Sequence, residues 1–320
     1  MEKTPYSIII PHKNTPKLLQ RCLDSIPQRD DLEVIVVDDN SDSRIVDFDN
    51  FPGKDRQDTT IIFDKSGKGA GRARNIGLEH AKGKWLLFAD ADDFFTYCFN
   101  DILNEYKDDI SDIIFLNACS IREGTYLNAN RCAYKNHMID GYLDKDPNKY
   151  ELLLRYDDGA PWSKMIKRSL TDKYKIVFDE TSIHNDARFS YMTGHYAEKI
   201  KVDRRAIYCV TYSPTSISFT LTDEKYLTRM HVIGKRDQFV QSIGLKLDCT
   251  SKFLQRTLLE IQDAGKKELF EDCLQILEEY GFSANMMRRK VNCMLKRQKR
   301  ENMFARGKSF IKRIFNYSNK

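Results

Sequence analysis

The sequence predicts an α/β domain built on a mostly parallel central sheet with flanking helices, followed by a helical C-terminal region. Short apolar runs typical of buried strands recur at a spacing of roughly 25 residues, and helical patterns lie between them, as in βαβ units. Beyond about residue 220 the pattern is mostly helical and poor in glycine and proline. We therefore predict two domains, 1–220 and 221–320.

Four segments in the first 90 residues are predicted strands. They are Ser7–Ile10, Val34–Val37, Thr60–Phe63 and Trp85–Ala89. Apolar residues at three- and four-residue spacing predict a helix after the first strand, and aspartates directly follow the other three strands. Because the carboxyl ends of parallel strands and the N-termini of helices meet at one edge of such a sheet, we expect a ligand site there.

The composition narrows the class of protein. Apolar residues make up 41% of the chain, enough for a core, yet no run approaches the roughly 20 apolar residues of a membrane-spanning helix. Residues 1–5 lack the apolar core of a signal peptide. The eight cysteines form no C-x-x-C pair, which disfavours a zinc site or a disulfide framework and indicates free thiols in a reducing cytoplasm.

Charge is distributed unevenly along the chain. Residues 288–320 carry twelve Lys or Arg and a single acid, Glu301, a net charge of +11. Because the whole chain carries +5, residues 1–287 carry −6. An acidic body argues against a nucleic-acid groove, and we expect no nucleic-acid partner.

The basic tail, residues 286–320, mixes Lys and Arg with apolar side chains. One face of a predicted helix would hold Phe304, Phe310, Ile311, Ile314 and Phe315. Such a helix is typical of segments that lie on an anionic membrane surface. A solvated tail and a nucleic-acid-binding segment are the alternatives.

The acidic segment Asp90–Asp93 directly follows an apolar strand. Three carboxylates in four residues repel one another unless water or a cation neutralises them. Magnesium and manganese take oxygen ligands and are commonly held by one or two carboxylates together with substrate phosphates. The segment therefore predicts a divalent-cation site, with a solvated acidic turn as the alternative.

Three further polar segments are candidate parts of a site. Asp38–Asp42 has the carboxylates to bind a nucleobase or ribose, or it supplies a helix cap through Asn40 or Ser41. The glycine-rich segment 67–77 has the wrong spacing for a dinucleotide or P-loop motif, but it combines a helix start with Lys and Arg that suit a diphosphate. Asp186 is a helix cap or, if it faces the acidic segment, a general base.

In this order, these segments resemble glycosyltransferase family 2, a large family of inverting sugar transferases with the GT-A fold. The resemblance covers about residues 5–215. The segments that carry it are Ser7–Asn14, Val36–Asp42, Gly69–Leu78, Phe88–Asp93, Ala160–Ile166 and Asn185–Phe189.

The resemblance implies a role for each matching residue. Pro11 and Asn14 would belong to the first strand and its nucleotide-contacting loop, Asp39 would bind the base, usually uracil, and Gly69 and Arg74 would belong to the donor-binding segment. Asp90 would face the ribose or the donor sugar, Asp92 would ligate the cation that bridges the phosphates, and Asp186 would deprotonate the acceptor hydroxyl.

The implied protein is a non-processive glycosyltransferase, since neither tryptophan lies in the Q-x-x-R-W motif of processive synthases. It would use a nucleotide diphosphate sugar, Mn²⁺ or Mg²⁺, and a glycan or lipid-linked glycan acceptor in cell-surface polysaccharide biosynthesis. We expect it in the cytoplasm, or peripherally on the inner face of the plasma membrane through its tail. The alternatives are a nucleotidyltransferase that makes a nucleotide sugar, and a non-catalytic nucleotide- or nucleic-acid-binding protein.

Overall fold

The computed structural model describes residues 5–213, 221–245, 248–298 and 300. The chain divides into two compact units, Met1–Thr220 and Leu221–Lys320. The apolar positions predicted for the tail helix, Phe304 to Phe315, lie outside the described residues.

The first unit is built on an eight-stranded mixed sheet in the order β3-β2-β1-β4-β7-β6-β8-β5. The strands are β1 Tyr6–His12, β2 Leu32–Asp39, β3 Thr59–Asp64, β4 Trp85–Phe88, β5 Phe94–Phe95, β6 Ile113–Arg122, β7 Lys164–Lys167 and β8 Ile200–Tyr212. Strands β1 to β4 are parallel, as predicted, and β6 is parallel to β8. Strand β7 runs antiparallel to both β4 and β6, and β5 runs antiparallel to β8.

Helices cover both faces of this sheet. They are α1 Pro16–Asp24, α2 Ala70–His80, α3 Phe99–Tyr106, α4 Ala133–Asp144, α5 Pro147–Tyr156, α6 Arg168–Tyr174 and α7 Ala187–Tyr196. One core cluster lies between the sheet and helices α1 and α3, and a second lies between the opposite face and α2 and α4–α7. The prediction of an α/β unit with a sheet buried on both faces is confirmed.

The described part of the second unit is helical. Its helices are α8 Asp223–Ser242, α9 Asp248–Asp263, α10 Lys267–Glu279 and α11 284–298. They enclose a separate core that includes Met230, Leu258, Leu274 and Val291. Among the described residues, no helix is both long and apolar enough to span a bilayer.

Candidate active site

Side-chain alternation at the end of β2 separates its two aspartates. Val34 and Val36 belong to the core cluster on the α1 face of the sheet, and Ile35 and Val37 belong to the cluster on the α2 face. Successive side chains in a strand point to opposite faces, so Asp38 lies on the α1 face and Asp39 on the α2 face.

Asp38 is a structural carboxylate. His12 Nδ1 lies 2.8 Å from Asp38 Oδ2, and His12 Nε2 accepts the Thr15 backbone N–H at 3.1 Å. Because Nε2 accepts this bond, Nδ1 is the nitrogen that donates to Asp38. Burial acts to raise the pKa of Asp38, but the hydrogen bonds from His12 and Ser41 hold it below its usual range. Ser41 does not cap a helix, because the chain forms only turns and bends between β2 and β3.

Asp39 faces the glycine-rich segment. Its Oδ1 accepts the backbone N–H of Gly69 at 3.0 Å, and its Oδ2 accepts Lys13 Nζ at 3.0 Å. Gly69, with φ 91°, immediately precedes α2, so the start of that helix is fixed to the end of β2. Asp39 is buried, whereas the side chain of Lys13 is half exposed.

Asn14 joins the loops that follow β1 and β2. Its backbone N–H donates to Ser41 Oγ at 2.8 Å, and its Oδ1 accepts the Asp42 N–H at 2.8 Å. Pro11 lies within β1 opposite Val37. Its ring nitrogen faces the β4 side of the strand, beyond the end of β4 at Phe88, so no ladder hydrogen bond is lost. Pro11 and Asn14 thus shape the edge at which Asp39 lies.

Helix α2 holds the segment that leads to Asp186. The Asn75 side-chain amide donates from Nδ2 to the Phe178 backbone oxygen at 3.0 Å, and its Oδ1 accepts the Phe178 N–H at 2.8 Å. A Cβ on Gly71 would lie 2.0 Å from the carbonyl oxygen of Asp179, a contact that only glycine permits. The glycine-rich segment therefore packs directly against residues 178–186.

Arg74 bridges this segment and the acidic turn. Its Nη1 donates to Asn185 Oδ1 at 2.7 Å, and its Nη2 donates to Asp90 Oδ1 at 2.5 Å. The guanidinium also lies 5.4 Å above the Phe178 ring and is 5% exposed. These contacts are all to protein groups, so the donor-binding role predicted for Arg74 remains a proposal.

The acidic turn is fixed by β8. The Asp90 N–H donates to the Tyr208 hydroxyl at 2.8 Å, and Asp93 Oδ1 accepts the Thr211 N–H at 2.7 Å. Burial raises the pKa of Asp93 well above its usual range, and the negative charges of Asp92 and Asp90 add to this effect. Asp93 therefore anchors the turn, while Asp90 keeps part of its carboxylate exposed.

Asp92 is the carboxylate best suited to a cation. Burial, together with the neighbouring negative charge of Asp90, raises the pKa of Asp92 to about 6. Such mutual repulsion is relieved by a divalent cation, for which carboxylate oxygens are the preferred ligands. Among the described residues, no three His, Cys, Asp or Glu side chains are grouped to form a complete metal site. The donor set fits Mg²⁺ or Mn²⁺ held partly by Asp92 and partly by phosphates.

Asp186 occupies the N-cap position of α7, but its side chain makes no capping hydrogen bond. It is partly exposed, yet desolvation by the surrounding protein raises the pKa of its carboxyl group. The positive charges of Arg74 and Lys164 oppose this rise, and the charge of Asp90 adds to it. Asp186 directly follows Asn185, which Arg74 joins to Asp90, so Asp186 lies close to the acidic turn.

Sequence reasoning missed several residues that shape this site. Arg21 of α1 donates to the backbone oxygen of Asp92 and to Thr211 Oγ1, and it lies 5.2 Å over the Phe94 ring. Tyr208 binds the acidic turn at Asp90, and Asn185 binds the guanidinium of Arg74. Asn185 lies in one of the segments that carry the family resemblance, whereas no sequence pattern near Arg21 or Tyr208 indicated a role for either residue.

Together, the mixed sheet, the acidic turn after β4 and the strand-end aspartates define a protein of the GT-A class. The family model "Glycosyl transferase family 2" matches residues 7–174, just over half of the chain, and the chain belongs to this family. The predicted resemblance is confirmed.

The chain is similar to proteins that are named as glycosyltransferases. The chain is similar to the uncharacterized glycosyltransferase EpsJ of Bacillus subtilis, with 26% identity over 223 residues, 66% of this chain and 62% of EpsJ. A glycosyltransferase of Haemophilus influenzae is 39% identical over 93 residues, 28% of this chain and 30% of that protein. The match spans about three fifths of the length of the Bacillus relatives, 62% and 61%.

Two solved structures share the fold. Staphylococcus aureus TarS 1–349 in complex with UDP-GlcNAc has a TM-score of 0.56 and 17% identity, covering 86% of this chain and 91% of TarS. The mannosyltransferase PcManGT from Pyrobaculum calidifontis, in complex with GDP-Man and Mn²⁺, has a TM-score of 0.51 and 14% identity, covering 97% and 81%. At these identities the likeness shows the fold alone.

Proposed function

We propose that the first unit transfers a sugar, with inversion and a divalent cation, from a nucleotide diphosphate sugar to a glycan or lipid-linked glycan hydroxyl. UDP is the favoured nucleotide, and cell-surface polysaccharide biosynthesis is the proposed setting. Membership of glycosyl transferase family 2 supports the reaction class. The nucleotide sugars bound to TarS and PcManGT, and the Mn²⁺ of the latter, support the donor and the cation.

One observation carries the proposal: a single buried guanidinium, that of Arg74, joins Asp90 to Asn185. The acidic turn is the proposed place of the donor phosphates, and Asn185 directly precedes the proposed base, Asp186. Inverting transfer requires the leaving group and the incoming hydroxyl on opposite sides of the anomeric carbon. Arg74 couples the two protein elements that would flank that carbon.

Asp186 would accept the proton of the acceptor hydroxyl as the new bond forms. Its side chain is not used as a helix cap, and burial raises its pKa toward the working pH, which favours general-base catalysis. Asp92, together with the donor phosphates, would hold the cation, which when bound stabilises the charge of the leaving diphosphate.

On the donor side, Asp39 is proposed to bind the base and Asp90 the ribose or sugar. Asp39 keeps lone pairs beyond those used by Gly69 and Lys13, since each carboxylate oxygen accepts about two hydrogen bonds. Pro11 and Asn14 set the loop beside it. Because Lys13 is half exposed next to Asp39, it can swing toward a phosphate without disturbing the core.

The test is transfer by Asp186→Asn, measured as nucleotide release with acceptor present. We expect kcat to fall by about 10²–10⁴-fold with donor binding retained, whereas Asp92→Ala should weaken donor binding as well. Asp179→Asn, on the same segment seven positions earlier, is the matched control and should keep its activity. Wild-type turnover by Asp186→Asn would refute the assignment of the base.

The basic tail is proposed to bring the enzyme to an anionic membrane on the cytoplasmic side. Deletion of 301–320 leaves Met287 and Val291 in the helical core. We expect flotation with anionic liposomes to drop on deletion and to weaken with salt. Equal flotation of the two proteins would remove this part of the proposal.

A further inference from the structure

A group of buried charges lies at the N-terminal end of β7. Lys164 is 2% exposed, and Lys135 and Asp158 are each 5% exposed. Lys135 Nζ lies 2.5 Å from Asp158 Oδ2, and Lys164 Nζ lies 2.6 Å from the Asp158 backbone oxygen and 3.4 Å from its Oδ2. Two ammonium groups thus share one carboxylate, which leaves an excess of one positive charge inside the protein.

The direction of β7 places this charge at the candidate active site. Because β7 is antiparallel to β4, its last residue, Lys167, pairs with Trp85 at the start of β4. Lys164, three residues earlier, therefore lies at the edge where β4 ends and the acidic turn begins. Lys167 lies at the opposite end, about 10 Å away along the strand.

The loop between α5 and β7, which contains Asp158 and Gly159, is fixed to the first turn of α7. Ser190 Oγ donates to the Gly159 backbone oxygen at 2.7 Å, and the Ser190 N–H donates to the Asp186 backbone oxygen at 3.0 Å. Asp158, which binds Lys164, directly precedes Gly159. A short chain of hydrogen bonds therefore fixes Lys164 relative to Asp186.

An unbalanced buried charge is costly unless an opposite charge lies near it. We propose that Lys164, held by Asp158 and Lys135, is a positioning residue that supplies the positive charge that keeps Asp186 ionised between turnovers. This inference rests on the proposed role of Asp186 as the base. Lys164 does not touch the reacting atoms; it acts through the field at the carboxylate.

The electrostatics of the site agree with this role. The charged groups that act on Asp186 are Arg74 from α2, Asp90 from the acidic turn and Lys164 from β7. Burial lowers the pKa of Lys164 to about 8, although Asp158 and Asp186 favour its charged form. Lys164 is therefore mostly charged at neutral pH, and its influence should fade above about pH 8.

The test compares variants that remove or keep the charge. Lys164→Met and Lys164→Gln are both neutral, and the polar glutamine variant covers the case in which the methionine variant fails to fold. Lys164→Arg keeps the charge but alters the shape. The matched control is Lys167→Met on the same strand, whose ammonium donates to the Ile110 backbone oxygen and lies 3.6 Å from Asp112.

Two measurements are made on the full chain. The first is the carboxyl ¹³C titration of Asp186 in protein labelled at aspartate, assigned by its loss in Asp186→Asn. The second is the pH profile of kcat/KM for sugar transfer. In the neutral Lys164 variants, we expect Asp186 to titrate at higher pH, and kcat/KM to fall about three-fold or more near pH 6 but less than about two-fold near pH 9.

A structural role for Lys164 would give a different pattern. It would lower kcat/KM equally at all pH values, and the bulkier arginine would not rescue it. The electrostatic role predicts that Lys164→Arg restores both the titration of Asp186 and the acid limb of the kcat/KM profile. Lys167→Met should leave both at their wild-type values. An unmoved Asp186 titration in a folded neutral variant overturns the proposal. Full activity of Asp186→Asn would instead overturn the base assignment, because the titration still reports on Lys164.

Discussion

Replacement of Arg74 by methionine tests the link between the acidic turn and the Asp186 segment. The change removes two charged hydrogen bonds, to Asp90 Oδ1 at 2.5 Å and to Asn185 Oδ1 at 2.7 Å. Hydrogen bonds to charged groups contribute about 1.5–3 kcal/mol each. Because the Asp90 side chain is 34% exposed, solvent screening reduces its share to about 1 kcal/mol. With about 1.5–3 kcal/mol from the bond to Asn185, we therefore expect the free energy of unfolding to fall by about 2.5–4 kcal/mol.

For a unit of this size, that loss corresponds to a fall in Tm of about 5–15 °C, measured by circular dichroism. Arg72→Met on the same helix is the control, because Arg72 is more exposed and lies 3.7 Å from Glu180. We expect that variant to change stability by less than about 1 kcal/mol.

Arg74→Met should also change catalysis. Burial raises the pKa of Asp186, and the charge of Arg74 opposes that rise, so its removal should leave less ionised base at low pH. The acid limb of kcat/KM should move to higher pH, and loss of alignment should lower kcat/KM by about 10²-fold at the optimum. A variant with wild-type Tm and pH profile would refute the bridging role.

Three further predictions concern neighbouring residues. Gly71→Ala would place a methyl group 2.0 Å from the Asp179 carbonyl oxygen, so we expect the free energy of unfolding in urea to fall by about 3 kcal/mol. Gly69→Ala, where only the backbone at φ 91° is strained, should lower it by about 1–2 kcal/mol. Hydrogen bonds outweigh burial and lower the pKa of Asp38, so its carboxylate stabilises the fold above about pH 4. This stabilisation is lost as the pH falls further. In urea unfolding, Asp38→Asn should therefore be less stable than wild type near pH 7 and approach the wild-type stability near pH 3. Burial and Asp90 raise the pKa of Asp92 to about 6, so Mn²⁺ binding in the presence of UDP, followed by calorimetry, should weaken as the pH falls from about 7 to 5. Asp92→Asn should show a weaker dependence, from the terminal phosphate of UDP alone.

The parallel half of the fold was predictable because its signals are local. Apolar runs marked β1 to β4, and the rule that parallel strands end at one edge brought Asp39, Asp90 and the glycine-rich segment together. Strand β1 continues through Pro11 to His12, beyond the predicted end at Ile10. The proline is tolerated because the neighbouring strand has already ended on its nitrogen side.

The second half of the site depends on contacts between residues distant in sequence. The partners of Arg74 lie 16 and 111 residues away, so a basic residue in a glycine-rich segment gave no sign of this bridge. The reversed direction of β7 is set by pairing with β4 and β6, which no local pattern encodes. The burial of Lys164 likewise depends on Asp158, in the loop after α5, and on Lys135, which belongs to α4.

The alternation at the end of β2 bears on how this sequence can evolve. Deletion or insertion of one residue within β2 would turn Asp38 and Asp39 each to the opposite face of the sheet. The carboxylate bound by His12 would then face α2, and the one bound by Gly69 would face the core on the α1 side. Length changes between β2 and β3 carry no such penalty, because that connection is made of turns. Among natural homologues we therefore expect gaps to accumulate between residues 43 and 57 and to be rare from residue 32 to residue 42.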